Sequence, residues 1–177
     1  MTQSAVALET GVIYCDDNLN RMATLPSESV DLIYLDPPFF SNRTYEVIWG
    51  DEAEVRSFED RFEGGIQVYI AWMRDRVMEM RRLLKPTGSL FLHCDPHASH
   101  YLKVMLDDVF GGSAYRNELV WKRTSAHSSA NRFGPVHDLI FYYKAGKRPT
   151  WNSARTGYTV EYLNKYYKFN DGDGRLY

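Results

Sequence analysis

The sequence predicts an α/β fold around a largely parallel sheet, and three features of its pattern lead there. Short apolar runs such as Val12-Ile13-Tyr14-Cys15 and Ser89-Leu90-Phe91-Leu92-His93 alternate with stretches of helical periodicity, which is how strands joined by helical crossovers read in one dimension. Capping and turn residues separate the runs. No internal repeat or low-complexity stretch interrupts the alternation.

Residues 12–15 read as a first buried strand, and Asp16-Asp17 as the cap of a short helix that begins near Leu19 and stops before Pro26. Residues 30–35 form the next strand. It runs into Asp36-Pro37-Pro38-Phe39, whose prolines end ladder pairing and force a loop at the carboxyl end of the strand. Ligands of open α/β sheets bind at that edge. Residues 40–62 are polar and irregular with scattered aromatics, and are expected to form a long loop with the character of a lid.

Periodicity then returns: Ile70, Met73, Val77, Met80 and Leu84 recur at steps of three and four, while Arg81, Arg82 and Lys85 complement the negative end of that helix. Pro86 and Gly88 are expected to stop it. Residues 89–93 make a third core strand, and Asp95-Pro96 caps a helix that runs to Phe110 and ends at Gly111-Gly112. Residues 118–122 and 136–143 form a hairpin-like pair across the polar loop 123–135. Asp36 should therefore close a central strand lying between residues 12–15 and residues 89–93. Beyond Gly146 the chain turns basic and aromatic, with Tyr158, Tyr162 and Tyr166 spaced by four.

A chain of 177 residues is long enough for one domain with a real core, burying about 68–70% of its unfolded surface. Its apolar content of 44% and charged content of 25% are ordinary for a globular protein. No apolar run approaches the ~20 residues that span a bilayer, and residues 1–11 lack a basic start followed by an apolar stretch, so neither a membrane span nor a secretory signal is expected. Cys15 and Cys94 suit a reducing compartment, hence a cytoplasmic location. The net charge is −2, yet residues 144–177 hold seven Lys/Arg against three acids. A basic tail on an acidic body has the form of a phosphate-facing patch, though a merely solvated surface has the same composition.

Asp36-Pro37-Pro38-Phe39 carries the chemistry. A carboxylate and a proline carbonyl on a rigid loop are two acceptors that match the two hydrogens of an exocyclic amine. Accepting both pulls the nitrogen toward tetrahedral geometry and aims its lone pair. Phe39 offers a flat face for stacking a flipped-out base. A stiffened surface turn has the same residues. His93, Cys94, Asp95, His97 and His100 cluster in sequence without Cys-x-x-Cys or His-Glu-x-x-His spacing, so no metal is expected. His93 and Asp95 close a strand next to the catalytic one and are expected to border the site.

Over residues 12–143 the chain resembles the beta group of DNA amino-methyltransferases, the group that includes the modification subunits of type III restriction systems. The family's Ile-Tyr-x-Gly-Asp-Asn-Leu segment is matched by Ile13 to Leu19, and its Asp-Pro-Pro-Phe motif by Asp36 to Phe39. The match continues through Leu83-Leu84-Lys85-Pro86-Thr87-Gly88-Ser89, Asn117-Glu118-Leu119-Val120-Trp121 and His137-Asp138-Leu139-Ile140-Phe141-Tyr142. Asp16 departs from the family's glycine.

The resemblance implies a Rossmann-like methyltransferase three-layer sandwich, incomplete in this chain, with S-adenosyl-L-methionine as cofactor and DNA as substrate. It assigns catalysis to Asp36, Pro37, Pro38 and Phe39, and cofactor contacts to Asp17, near the cofactor adenine, and to Asp36. DNA contacts are expected from Arg123, Arg132, Lys144, Lys147 and Arg148. Residues 1–146 would be the catalytic part of the methyltransferase domain, and 147–177 the truncated start of a target-recognition region. The family's later Phe-x-Gly-x-Gly motif is absent from this sequence; Gly172 and Gly174 have the spacing without the flanking strand and helix. The expected partners are therefore DNA, the missing carboxyl-terminal half or a complementary subunit, and a restriction subunit, with the isolated chain inactive. Adenine N6 is the expected target. Cytosine N4, an amide nitrogen in protein, and a non-catalytic accessory fragment remain alternatives.

Overall fold

Side chains alternating with period two build the sheet of this protein, and faces repeating every 3.6 residues build the helices that cover it. A computed structural model of the chain describes residues 8–40, 44–49, 54–59, 62–123, 128–129, 131–134, 136–153, 157–169 and 171–174. Its elements are α1 (Asn18–Ala23), β1 (Val30–Leu35), β2 (Thr44–Trp49), β3 (Glu54–Glu59), α2 (Ile66–Leu83), β4 (Leu84–Cys94), α3 (Ser99–Phe110), β5 (Tyr115–Lys122), β6 (Ser128–Ser129), β7 (Arg132–Phe133), β8 (His137–Lys144) and α4 (Val160–Tyr166). A 3-10 turn over Gly112–Ala114 joins α3 to β5.

The main sheet has the order β1-β4-β8-β5, with β1 and β4 parallel and the other two pairings antiparallel. The expected hairpin-like pair is present as β5 and β8. The sheet is mixed rather than largely parallel, because β8 returns between the two strands that precede it. One face of the sheet is the core. Leu90, Leu92 and Cys94 of β4 and Leu139, Phe141 and Tyr143 of β8 point there, all buried. They meet Tyr69, Met73, Val77, Met80 and Leu83 of α2 and Leu102, Met105, Leu106 and Val109 of α3. Tyr143 Oη donates to the Asp107 carboxylate at 2.7 Å, which latches α3 to β8. α1 joins through Arg82, which donates to the carbonyls of Met22 and Leu25 at 2.7 and 3.0 Å.

Several elements differ from the sequence reading. Residues 12–15 form no ladder, and Ile13 is 96% exposed. Apolar character favours burial, but a strand also needs a neighbour for its amides and carbonyls, and among the described residues none lies beside this segment. For the same reason β1, which among the described residues pairs with β4 alone, is an edge strand there, and Asp36 ends an edge rather than a central strand. Two strands of an antiparallel hairpin, β2 and β3, stand within the stretch read as irregular loop. Pro86 and Gly88 belong to β4, since α2 already ends at Leu83 and Leu84 turns extended. Leu84 pairs with Val30 and Ser89 with Leu32, so the residues between them bulge out of register, where a proline needs no ladder donor. α3 starts at Ser99, three residues after Pro96; Asp95 instead accepts from the His97 amide at 2.9 Å and closes a turn. The loop 123–135 contains the two-residue strands β6 and β7.

Candidate active site at the carboxyl end of the sheet

Strand direction determines which residues meet. Parallel β1 and β4 finish at one end of the sheet, at Asp36 and at His93-Cys94. Antiparallel β8 begins at that same end with His137-Asp138, and β5 leaves there through Lys122 to Arg123. Alternation then selects the face: Tyr34, His93 and Asp138 all project from the sheet face opposite α2 and α3.

The result is a chain of contacts centred on His93. Its Nδ1 lies 3.4 Å from Asp36 Oδ1 and 3.2 Å from Tyr34 Oη, while its Nε2 lies 3.2 Å from Asp138 Oδ2. Arg123 reaches the other Asp138 oxygen at 3.3 Å, and its amide donates to the Val136 carbonyl at 2.9 Å. Exposure falls along the chain: the side chain of Asp36 is 60% exposed, that of His93 17% and that of Asp138 4%. A carboxylate open to a ligand is thus backed by an imidazole and a buried, doubly paired carboxylate. Burial, with the charges of Asp36 and Asp138 beside it, raises the Tyr34 hydroxyl above the usual tyrosine range. Burial also pushes the Cys94 thiol up to about 12, with Asp95, Asp138 and Glu118 adding to it. That side chain is no thiolate nucleophile at neutral pH.

The loop after Asp36 is held from the core side. Tyr69 of α2, fully buried, donates its hydroxyl to the Pro38 carbonyl at 2.8 Å. Phe39 meets the His93 ring edge-to-face with centroids 5.0 Å apart. Phe40 adopts φ 59, a left-handed conformation costly for a bulky side chain, and its ring packs against Phe62 and Tyr69. Strain of this kind persists where surrounding contacts over-determine it.

Asp17 is tied to the same helix, α2, by another of its residues. It caps α1 by accepting from the Leu19 amide at 2.8 Å, and both its oxygens receive Arg76, at 3.1 and 2.9 Å. Arg76 is in turn seated over the Trp72 ring at 3.9 Å. Tyr69 and Arg76 are two turns apart on α2, so one helix face anchors both the Asp17 cap and the Pro38 loop, about 10 Å apart along its axis.

The candidate phosphate contacts separate. Arg123 stands beside Asp138 at the carboxyl end. Lys144 lies at the other end of β8, about 20 Å away by the ~3.4 Å rise of a strand. Lys147 and Arg148 follow it there, where the Ala145 and Thr150 amides donate to the Gly88 and Thr87 carbonyls. The Arg132 side chain lies outside the described residues. Sequence reasoning did not single out Tyr34, Tyr69 or Asp138. Asp138 had a signal, an acid inside an otherwise apolar strand, where an unpaired charge is too costly to bury; Tyr69 had none beyond being aromatic.

A family model described as DNA methylase, of the N6/N4 methyltransferases, matches residues 30–175. The chain belongs to this DNA methylase family. It is 29% identical over 182 residues to the type II methyltransferase M.EcaI of Enterobacter cloacae, covering 98% of this chain and 38% of that protein. To the Mod subunit of the type III restriction-modification enzyme StyLTI of Salmonella typhimurium it is 26% identical over 175 residues, covering 86% of this chain and 26% of the other. The chain thus spans roughly a quarter to two-fifths of these relatives. Among solved structures, the cytosine-N4-specific PvuII DNA methyltransferase shares the fold with a TM-score of 0.53 at 13% identity, over 85% of this chain and 60% of that one.

Proposed function

We propose that this chain carries the amine-holding part of an S-adenosyl-L-methionine-dependent DNA amino-methyltransferase, acting on a flipped-out base and on adenine N6 in particular. One observation carries the reading: an exposed carboxylate, Asp36, closes β1 and opens a Pro-Pro-Phe loop clamped by Tyr69 beneath and His93 beside it. In this reading the Asp36 carboxylate and the Pro37 carbonyl accept the two amine hydrogens, and Phe39 stacks on the base. The choice of adenine over cytosine rests on the tendency of the resembled family alone.

The cofactor supplies a methyl group on a sulfonium, and the residues present suit its reactive end better than its remainder. Asp36 offers a negative charge at an open sheet edge. Asp17 already serves Leu19 and Arg76, so a cofactor adenine would share an occupied carboxylate. The glycine-rich motif that grips the amino-acid end is not in this sequence. Residues 147–177 are read as the start of the target-recognition region, with the rest of the methyltransferase domain as partner and a restriction subunit as a further one.

The test is methyl transfer from labelled donor to unmethylated DNA, with and without a polypeptide carrying the Phe-x-Gly-x-Gly half, followed by nucleoside analysis. N6-methyladenine is the expected product. N4-methylcytosine would correct the target base, and labelled protein without labelled DNA would overturn the reading.

A further inference from the structure

We propose that His93 is a positioning residue for Asp36 and the second stop for the proton that methylation releases; this rests on the amino-methyltransferase reading and deepens it. Asp138 is a buried carboxylate whose other oxygen is taken by Arg123. A buried anion 3.2 Å from Nε2 draws the ring proton to that nitrogen. The neutral imidazole then presents the Nδ1 lone pair toward Asp36 and Tyr34, at 3.4 and 3.2 Å.

The chemistry needs such a group. The amine enters with two N–H bonds and leaves with one N–H and one N–CH3, while the C–S bond electrons return to sulfur as a neutral thioether. One proton remains. Asp36 is the first acceptor, and a protonated Asp36 would hold the next substrate poorly, since a neutral carboxyl accepts more weakly from the amine and turns an O–H donor toward it. Passing the proton to Nδ1 restores the Asp36 carboxylate and leaves an imidazolium between Asp36 and Asp138, which then gives up the proton to solvent. Tyr34 faces the same nitrogen from β1, and its raised hydroxyl stays protonated and donates to Nδ1 while Asp36 is ionised. Phe39 stands against the ring and limits its rotation.

Two experiments separate this role from simple packing. In the chain itself, nitrogen-15 NMR of the neutral His93 ring should show the proton on Nε2, and Asp138→Asn, whose amide can donate to Nε2, should move it to Nδ1. A wild-type ring protonated on Nδ1 overturns the proposal, whatever the activity. In the preparation that transfers methyl groups, Asp138→Asn and His93→Ala should each slow multiple-turnover transfer about tenfold or more, and added imidazole should restore part of the His93→Ala loss. A His93→Ala rate equal to wild type, or a loss that imidazole does not touch, overturns the role of His93 while an inactive Asp36→Ala leaves the methyltransferase reading standing. Full activity in Asp36→Ala would instead bring down that reading.

Discussion

Asp36 shows how much one residue depends on its setting. Its side chain is 60% exposed, so no apolar burial holds it in place; the ring of His93 and the proline that follows do. Asp36→Ala, in a preparation that transfers methyl groups, should slow the chemical step by about 10²–10⁴ as measured in single turnover, and a wild-type rate would refute the role proposed for it. The Cys94 thiol makes a separate prediction about pH. Its folded value of about 12 stands above the ordinary thiol value of 9.0, so above pH 9 the unfolded chain releases this proton first. Stability is then fully present below pH 9 and declines between pH 9 and 12, by at most about 1.4 kcal/mol per pH unit for one group. Tyr143 is raised in the same direction by burial and by Asp107. Urea midpoints should fall on going from pH 8 to pH 10, and Cys94→Ala should flatten that fall.

Between elements, single contacts decide how the pieces seat. α2 reaches the Pro38 carbonyl through the Tyr69 hydroxyl, so Tyr69→Phe should cost about 0.5–1.5 kcal/mol in urea unfolding and should slow transfer by loosening the Pro38 loop. A mutant with unchanged stability and rate would show that packing alone positions the loop. After β8 the chain passes close over the bulge of β4. A Cβ on Gly146 would stand 2.3 Å from the Pro86 carbonyl oxygen, whereas one on Gly112 meets nothing within 4 Å. Gly146→Ala should therefore destabilise by about 1–3 kcal/mol, and Gly112→Ala should stay within about 0.5 kcal/mol of wild type. Equal effects from the two would mean that the β4 bulge yields freely.

The whole molecule has one well-covered sheet face and an open edge. Among the described residues β1 pairs on one side only, and Leu32 and Tyr34 along it are 57% and 55% exposed. An unpaired edge with apolar side chains favours a further strand or a partner. Without the glycine-rich motif the chain alone should bind S-adenosyl-L-methionine weakly or not at all. Calorimetry checks this directly, and micromolar one-to-one binding would show that the residues present suffice. Light scattering of the chain alone should find association through this edge.

Much of the fold was readable from local pattern. β1 appeared with its observed limits because Ser29 and the prolines bracket an apolar run, and α2 because its apolar positions repeat on one face before Leu83. The end of α3 at Gly111 followed from a residue that takes φ 87 without strain. Asp36 at a strand end followed from the same punctuation. Sheet order did not follow. Which strand lies at the edge, whether residues 12–15 find a neighbour, and how β8 enters between β4 and β5 depend on pairings between segments far apart in the chain. The site shares that dependence: Asp36, His93, Arg123 and Asp138 come from four segments, and only strand direction and register bring their charged groups within 3.4 Å of one another in a chain. Local periodicity encodes which way a side chain faces on its own strand, and so the sequence by itself determined β1, the apolar face of α2, the end of α3 and the residue that ends β1. The neighbours of that residue were decided by tertiary structure, because burying one apolar face against α2 and α3 selects the register that places His93 and Asp138 together on the other.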